Sequence, residues 1–137
     1  MKTEWSKTWK SSIQPRKQRK YVHNANLHTR QTLMHTHLSK ELKVKYGKRN
    51  FGLKVGDKVK VLRGQFKKIE GKVTKVMLKQ SKVYIEGVET LKTDGSKTFY
   101  PLTPSNLVIT DLNLNDKKRK NKLEKKSEEK KVEEKKK

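Results

Sequence analysis

The chain contains no cysteine, only 3 prolines and 7 glycines, and just 30% hydrophobic residues among its 137 positions. The absence of cysteine excludes disulfides, thiolate zinc sites and thiol catalysis. The opening residues MKTEWSKTWKSS lead into no apolar segment of the kind that a secretory signal needs, and no stop-transfer run occurs. We therefore expect a cytoplasmic protein whose packed core occupies only part of the chain.

Acidic residues are also scarce, since 14 Asp and Glu stand against 37 Lys and Arg for a formal net charge of +23. A chain of this charge repels itself, but it gains affinity for a polyanion by releasing condensed counterions. Nucleic acid is therefore the predicted partner. An anionic membrane surface is less favoured, because the sequence has neither a helix with a strong apolar face nor a long apolar run.

Charge and composition divide the chain into four predicted segments. These are a basic N-terminal arm (1–22), a short helical segment (23–50), a strand-rich unit (51–115) and a Lys/Glu-rich tail (116–137). The basic cluster after Pro15 has little to bury, so the arm is predicted to be extended until phosphates neutralise it. The tail is nearly devoid of apolar residues and is predicted not to fold alone.

Two short helices are predicted in the second segment. Asn24 or Asn26 is a suitable N-cap for the first helix, whose residues recur at helical spacing: Leu27, Gln31, Met34 and Leu38. The second helix is predicted to begin near Ser39 and to end at Gly47, a residue typical of C-caps.

From Leu53 the hydrophobic period changes to two, which indicates strands. The segments DKVKVL, GKVTKVML, KVYIEGV and NLVIT predict four strands, and VETLK and KTFYPL predict a hairpin around Asp94-Gly95. Short strands at this density favour a mainly β fold, a small SH3-like barrel, because closure removes exposed sheet edges. The predicted core residues alternate along these strands: Val59, Val61, Val73, Val83 and Ile85.

Gly64 and Gly71 stand seven residues apart in KVLRGQFKKIEGKVTKV. Each glycine can hold a positive φ or let another backbone come close, and the sequence leaves both roles open. The turn between them is expected to project cations that meet phosphates, while Phe66 or Ile69 packs down or touches a base or sugar. The expected rim consists of Arg63, Lys67, Lys68 and Lys72. A plain hairpin with solvated lysines is the alternative.

Other chemistry finds no support in the sequence. The four histidines, His23, His28, His35 and His37, lack metal-ligand spacing, so no metal and no cofactor is predicted. No carboxylate pair, nucleophile triad or phosphate-binding loop is present, so neither an enzyme nor a small-molecule substrate is expected. The aromatic residues able to stack on unpaired bases or on a neighbouring protein are Trp5, Trp9, Tyr21 and Tyr84.

The segment VGDKVKVLRGQFKKIEGKVTKVMLKQSKVYIEGV resembles a KOW motif, which occurs in ribosomal proteins and in NusG/Spt5-type transcription factors. The flanking LSKEL, KYGKR and DGS…YPLTPSN are similar to the archaeal and eukaryotic form of the twenty-fourth universal large-subunit ribosomal protein, with an archaeal leaning. The resemblance covers roughly residues 14 to 123. One position departs from the family, which often has glycine where this chain has Lys68.

The resemblance implies a ribosomal protein that binds the 5′ domain of large-subunit rRNA early in assembly. It also implies a place beside neighbouring large-subunit proteins near the peptide tunnel exit, with no membrane insertion. The alternative is a transcription elongation module that contacts RNA polymerase. The expected turn residues are Gly64, Gly71, Asp94 and Gly95. The expected rRNA-binding residues are Arg16, Lys17, Gln18, Arg19, Lys20, Tyr21, His23, Arg30, Lys48, Arg49, Arg63, Gly64, Lys67, Lys68, Lys72 and Lys75.

Overall fold

The structure, a computed structural model, describes residues 5, 6, 9 and 11–124. Its helices are α1 (Pro15–Asn24), α2 (Leu27–Leu33), α3 (Lys40–Tyr46) and α4 (117–124). Its strands are β1 (His35–Leu38), β2 (Asn50–Gly52), β3 (Lys58–Val61), β4 (Glu70–Met77), β5 (Lys82–Ile85), β6 (Glu89–Leu91), β7 (Lys97–Phe99) and β8 (Leu107–Asp111). No helix within the described residues is long and apolar enough to cross a membrane.

Six strands form one mixed sheet in the order β2-β1-β8-β3-β4-β5, and β6 and β7 form a separate hairpin. β1 and β8 are parallel, whereas the other neighbouring pairs are antiparallel. A bridge between Val83 and Leu102 continues the pairing past β5, and the Tyr100 amide donates to the Val88 carbonyl at 2.9 Å. The fold is therefore mainly β and barrel-like, as the strand pattern predicted.

The sheet and the helices share a single hydrophobic core. The five core residues predicted from alternation, Val59, Val61, Val73, Val83 and Ile85, are all confirmed, each being at most 2% exposed. Met34 and Tyr46 join this core from the helical segment, and Leu123 joins it from α4. The residues that follow the barrel therefore contribute to its packing.

The N-terminal arm is not extended as predicted, because residues 15–24 form α1. Pro15 lies in the first turn, where its fixed φ suits a helix and its missing N–H is not needed. The Arg, Lys and Gln residues that follow are good helix formers. Tyr21 packs against Trp9, and the Arg30 side chain donates to the His23 carbonyl at the end of α1. The contact with Arg30, which lies outside the arm, was not visible in the arm itself.

The predicted helical segment is partly wrong. α2 begins after Asn26, whose side chain accepts the Thr29 amide, but it ends at Leu33, and residues 35–38 form a strand between β2 and β8. Sheet pairing on both sides overrides the helical spacing of Leu38. The second helix is confirmed: the Ser39 side chain accepts the Leu42 amide, and Gly47 is left-handed with φ 60°.

The first part of the predicted tail is folded onto the barrel. Residues 117–124 are helical, and both Arg119 and Leu123 are buried against the barrel. This segment is poor in apolar residues, but Leu123 packs into the hydrophobic core and Arg119 forms an ion pair with Asp57. The prediction for residues 125–137 lies outside the described part of the chain.

Candidate RNA interface

The loop between β3 and β4 (62–69) is closed by backbone hydrogen bonds. The Val61 amide donates to the Ile69 carbonyl, and the Lys68 amide donates to the Val61 carbonyl, both at 2.9 Å. Phe66 and Ile69 pack against the core, and the Phe66 ring lies 5.1 Å from that of Tyr100. Phe66 and Ile69 therefore point inward, and the charged side chains of the loop are exposed cations: Arg63, Lys67 and Lys68.

The two glycines of the motif serve different purposes. Gly64 has φ 96° and faces open space, so it supplies the left-handed backbone of the turn. Gly71 lies on β4, close to the backbone of Glu86, which directly follows β5. A Cβ at Gly71 would overlap the Glu86 carbonyl oxygen and lie 2.9 Å from Ile85 Cγ2. Both roles that the sequence left open are thus present, one at each glycine.

Lys68 has φ 76°, one of two non-glycine residues with a positive φ in the described chain. For a residue with a Cβ, this conformation costs about 1–2 kcal/mol relative to the right-handed one. The hydrogen bond from the Lys68 amide to the Val61 carbonyl holds it in place. The loop thus keeps a conformation suited to the glycine common at this family position, while it carries an additional cation.

Cations also line the outer face of the adjoining strands. Lys72 of β4 lies directly across from Lys58 of β3, whereas the neighbouring Lys60 and Glu70 form an ion pair at 2.9 Å. Lys75, which follows a bulge in β4, is exposed as well. Lys58 and Lys60 were absent from the predicted site, although their alternation with Val59 and Val61 already placed them on the solvent side.

The Glu70 carboxyl is the acidic group on this face that pairs with a lysine. The Lys60 ammonium lowers the pKa of Glu70 through its hydrogen bond and its charge, and Lys58 lowers this pKa further by its charge. The charge of Lys60 is therefore neutralised by Glu70 within the protein. Lys58 and Lys72 face each other instead, and like charges directly opposite on neighbouring strands repel.

The predicted cations of the arm lie on α1. Arg16, Lys17, Gln18, Arg19 and Lys20 are all exposed, so one helix presents them around its circumference. Tyr21 is half-buried against Trp5 and Trp9, and the exposed His23 ring nitrogen Nδ1 lies 3.0 Å from the Asn24 side-chain oxygen. The helix therefore presents several exposed cations on an element separate from the β3–β4 loop.

Two predicted contact residues have structural partners. The Arg30 guanidinium donates to the carbonyls of Ala25, His23 and Lys79, so it ties α1 and α2 to the turn after β4. Lys48 donates to the Lys122 carbonyl and lies over the Phe51 ring. Arg49 is exposed beside it, and its carbonyl accepts the Leu38 amide. Arg30 and Lys48 thus position elements of the fold.

The hairpin turn between β6 and β7 follows the predicted chemistry. The Asp94 carboxylate accepts hydrogen bonds from the Ser96 hydroxyl at 2.7 Å and the Ser96 amide at 3.0 Å, and Gly95 has φ 80°. These hydrogen bonds lower the pKa of Asp94. The acid therefore acts as a turn residue.

The described residues contain no group of three His, Asp or Glu side chains able to hold a metal ion. His23 and His28 are exposed, and His35 and His37 lie on β1, where their side chains are half-buried. The charged side chains of this surface are mainly cations carried by strands of the mixed sheet.

The sequence matches the family described as the eukaryotic L26 and archaeal L24 ribosomal proteins over residues 12–126. This chain belongs to that family. It is also 51% identical, over 106 residues, to the large ribosomal subunit protein uL24 of Methanocorpusculum labreanum, an alignment that covers 77% of this chain and 88% of the relative. The family match includes α1, the barrel and α4, so the elements flanking the KOW motif belong to the family unit.

Family membership makes the chain a structural constituent of the large subunit of the cytoplasmic ribosome, with a role in translation. The resemblance noted in the motif and its flanks is thereby confirmed. The transcription-factor alternative depended on the KOW motif alone and is set aside, because the matched region extends well beyond that motif on both sides.

Proposed function

We propose that this ribosomal protein binds large-subunit rRNA through two cationic surfaces. The first comprises Arg63, Lys67 and Lys68 of the β3–β4 loop together with Lys58, Lys72 and Lys75 of the strands. The second is the exposed face of α1. The observation that carries the proposal is the construction of the loop: Phe66 and Ile69 pack inward, its backbone is hydrogen-bonded, and all of its charged side chains are exposed cations.

The loop surface suits folded duplex RNA. A-form RNA presents a wide minor groove with 2′-hydroxyls and flanking phosphates, and its deep major groove is closed to side chains. Lysines contribute mainly phosphate contacts, which fix orientation without reading sequence. A hydrogen-bonded loop loses little conformational entropy on binding. Recognition would therefore depend on the shape of the RNA backbone.

The proposed target is the 5′ domain of large-subunit rRNA, bound early in subunit assembly. The proposed location is near the peptide tunnel exit, beside neighbouring large-subunit proteins. Both follow from the family resemblance. A small barrel has a marginal core, so a bound RNA would also stabilise the fold by mass action. We infer further that the chain catalyses no reaction and takes no small-molecule substrate, because its family is structural.

Charge reversal at the loop surface tests the proposal. The variant Arg63→Glu/Lys67→Glu/Lys72→Glu is compared with Lys40→Glu/Lys92→Glu/Lys97→Glu, which changes the net charge equally at exposed residues outside the surface. Binding to a transcript of the 5′ domain is measured over a range of salt. If roughly ten phosphates are neutralised in the native complex, log K falls with log salt at a slope of about −7 to −9.

We expect the loop variant to reduce this slope by about 2–3 and to fail to enter large-subunit particles. The control should bind more tightly than the loop variant. It loses only the long-range attraction that depends on net charge, which both variants lose equally. Equal binding and equal incorporation of the loop variant and the native protein would contradict the proposal.

A further inference from the structure

The two tryptophans of the chain lie together against α1. The Trp9 ring stacks on Tyr21 with centroids 4.6 Å apart and planes at 26°, and the Trp5 ring lies 5.3 Å from Tyr21 at 35°. We call these three residues the aromatic cluster. It does not belong to the β3–β4 loop surface, and the phosphate contacts proposed for α1 give the two indoles no role.

One face of α1 completes the surroundings of the cluster. Lys17, Lys20, Tyr21 and Asn24 follow one another at i, i+3, i+4 and i+7, so they lie on the same side of the helix. These residues line a cavity of about 380 Å³ together with Trp5, Ser6 and Trp9. Small-ligand sites typically begin at about 300 Å³. The exposed cation Lys17 is among these lining residues.

The Trp5 indole provides a second, independent sign of a missing ligand. Its N–H is buried and has no acceptor among the residues that the structure describes. A buried donor without an acceptor is destabilising, and native proteins usually satisfy such groups. An oxygen supplied by a bound molecule would satisfy it.

We infer that the aromatic cluster binds an unpaired nucleotide of the rRNA. A splayed-out base stacks on the rings, Lys17 and neighbouring exposed cations of α1 meet its flanking phosphates, and the Trp5 N–H donates to an oxygen of the nucleotide. Stacking on aromatic side chains beside cations is the common way in which proteins hold single-stranded nucleic acid. The inference rests on the proposed rRNA binding, and it adds a second kind of target: single-stranded RNA at α1, beside duplex at the loop.

A neighbouring protein is the alternative occupant of this half-buried aromatic site. The surroundings favour RNA, because α1 carries exposed cations beside the cluster, among them Arg16 and Lys17, and a stacking platform with flanking cations matches a base and its phosphates. A protein interface core would instead be depleted in charged residues.

Intrinsic fluorescence tests this inference directly, since Trp5 and Trp9 are the only tryptophans of the chain. The full-length protein is titrated with a blunt RNA duplex and with the same duplex carrying a short single-stranded overhang. Anisotropy of a label on the RNA measures binding independently. We expect both RNAs to bind and only the overhang to quench the tryptophan emission strongly.

Substitutions provide the matched comparison. Trp9→Ala should weaken binding of the overhang RNA by roughly 5- to 100-fold and leave blunt-duplex binding nearly unchanged, since base stacking contributes at this level. Trp9→Phe, which keeps an aromatic ring, should stay within about threefold of the native affinity. Leu91→Ala, an exposed apolar residue on the β6–β7 hairpin, is the control and should bind both RNAs normally.

The outcomes separate this inference from the proposed function. If anisotropy reports binding of both RNAs and neither quenches the emission, the cluster faces a neighbouring protein or only anchors α1, and the inference is wrong. An equal loss of both RNAs in Trp9→Ala would also contradict it, because that result indicates a structural role. If neither RNA bound the native protein, the proposed function itself would be wrong.

Discussion

Asp57 and Arg119 form a buried, two-pronged ion pair in which both N···O distances are 2.7 Å. The Asp57 carboxylate also accepts the backbone amides of Lys54 and Asn113, and Arg119 also donates to the carbonyls of Gly52 and Asn113. Neither charge is left without compensation, which is the condition under which a buried pair is tolerated. The pair joins α4 to the start of the barrel.

Breaking this pair should destabilise the protein strongly. Arg119→Ala leaves the fully buried Asp57 carboxylate without its cation, and we expect the free energy of unfolding to fall by about 3–5 kcal/mol. Urea denaturation followed by circular dichroism measures the loss. Lys118→Ala, an exposed neighbour on α4, is the control and should change stability by less than about 0.5 kcal/mol. Equal stabilities of the two variants would show that α4 is not anchored by Asp57.

The two glycines of the motif should differ in what they tolerate. Gly71→Ala places a Cβ against the backbone of Glu86, so we expect a loss of about 2–3 kcal/mol. Gly64→Asn should lose less than about 1 kcal/mol, because that site has open space and Asn tolerates a left-handed backbone. Thermal unfolding of the two variants side by side gives the comparison. A larger loss at Gly64 would refute the assignment of roles.

Lys68→Gly should stabilise the free protein and weaken its binding to RNA. Glycine relieves the positive φ but gains freedom in the unfolded chain, so we expect a net stabilisation of about 0.5–1 kcal/mol. The lost cation should reduce the salt slope of RNA binding by about 1. Lys67→Gly, one residue earlier, is the control: it removes a cation without relieving a positive φ and should not stabilise the protein. Melting curves and salt titrations of the two variants are recorded in parallel. Equal stabilities of Lys68→Gly and Lys67→Gly would contradict the prediction.

Carboxyl NMR titration can check the Lys60–Glu70 pair. Because the folded-state pKa of Glu70 is lowered, the pair contributes stability above the unfolded pKa, and this contribution is lost as pH falls through the folded pKa. Lys60→Met should raise the pKa of Glu70 toward its ordinary value of 4.5, and Lys58→Met should raise it less. An unchanged Glu70 pKa in Lys60→Met would mean that the ion pair does not form in solution.

The local pattern of the sequence was sufficient where neighbouring residues set the conformation. Alternating valines specified the buried faces of β3, β4 and β5, and Asp94-Gly95 specified its turn, because these features depend on adjacent side chains. The same holds for α3, whose cap residues Ser39 and Gly47 stand directly at its ends. Composition alone indicated a polyanion as partner.

Tertiary contacts decided the rest. Residues 35–38 became a strand because β2 and β8 offered hydrogen-bonding partners on both sides, and the C-terminal end of α1 is joined to α2 by the Arg30 side chain, which donates to the His23 carbonyl. Asp57 and Arg119 are 62 residues apart, and no local signal links them. Sequence by itself determined which side chains alternate and how much positive charge must be neutralised. Only the folded chain decided which distant residues meet, because burial and pairing depend on elements that approach one another solely in three dimensions.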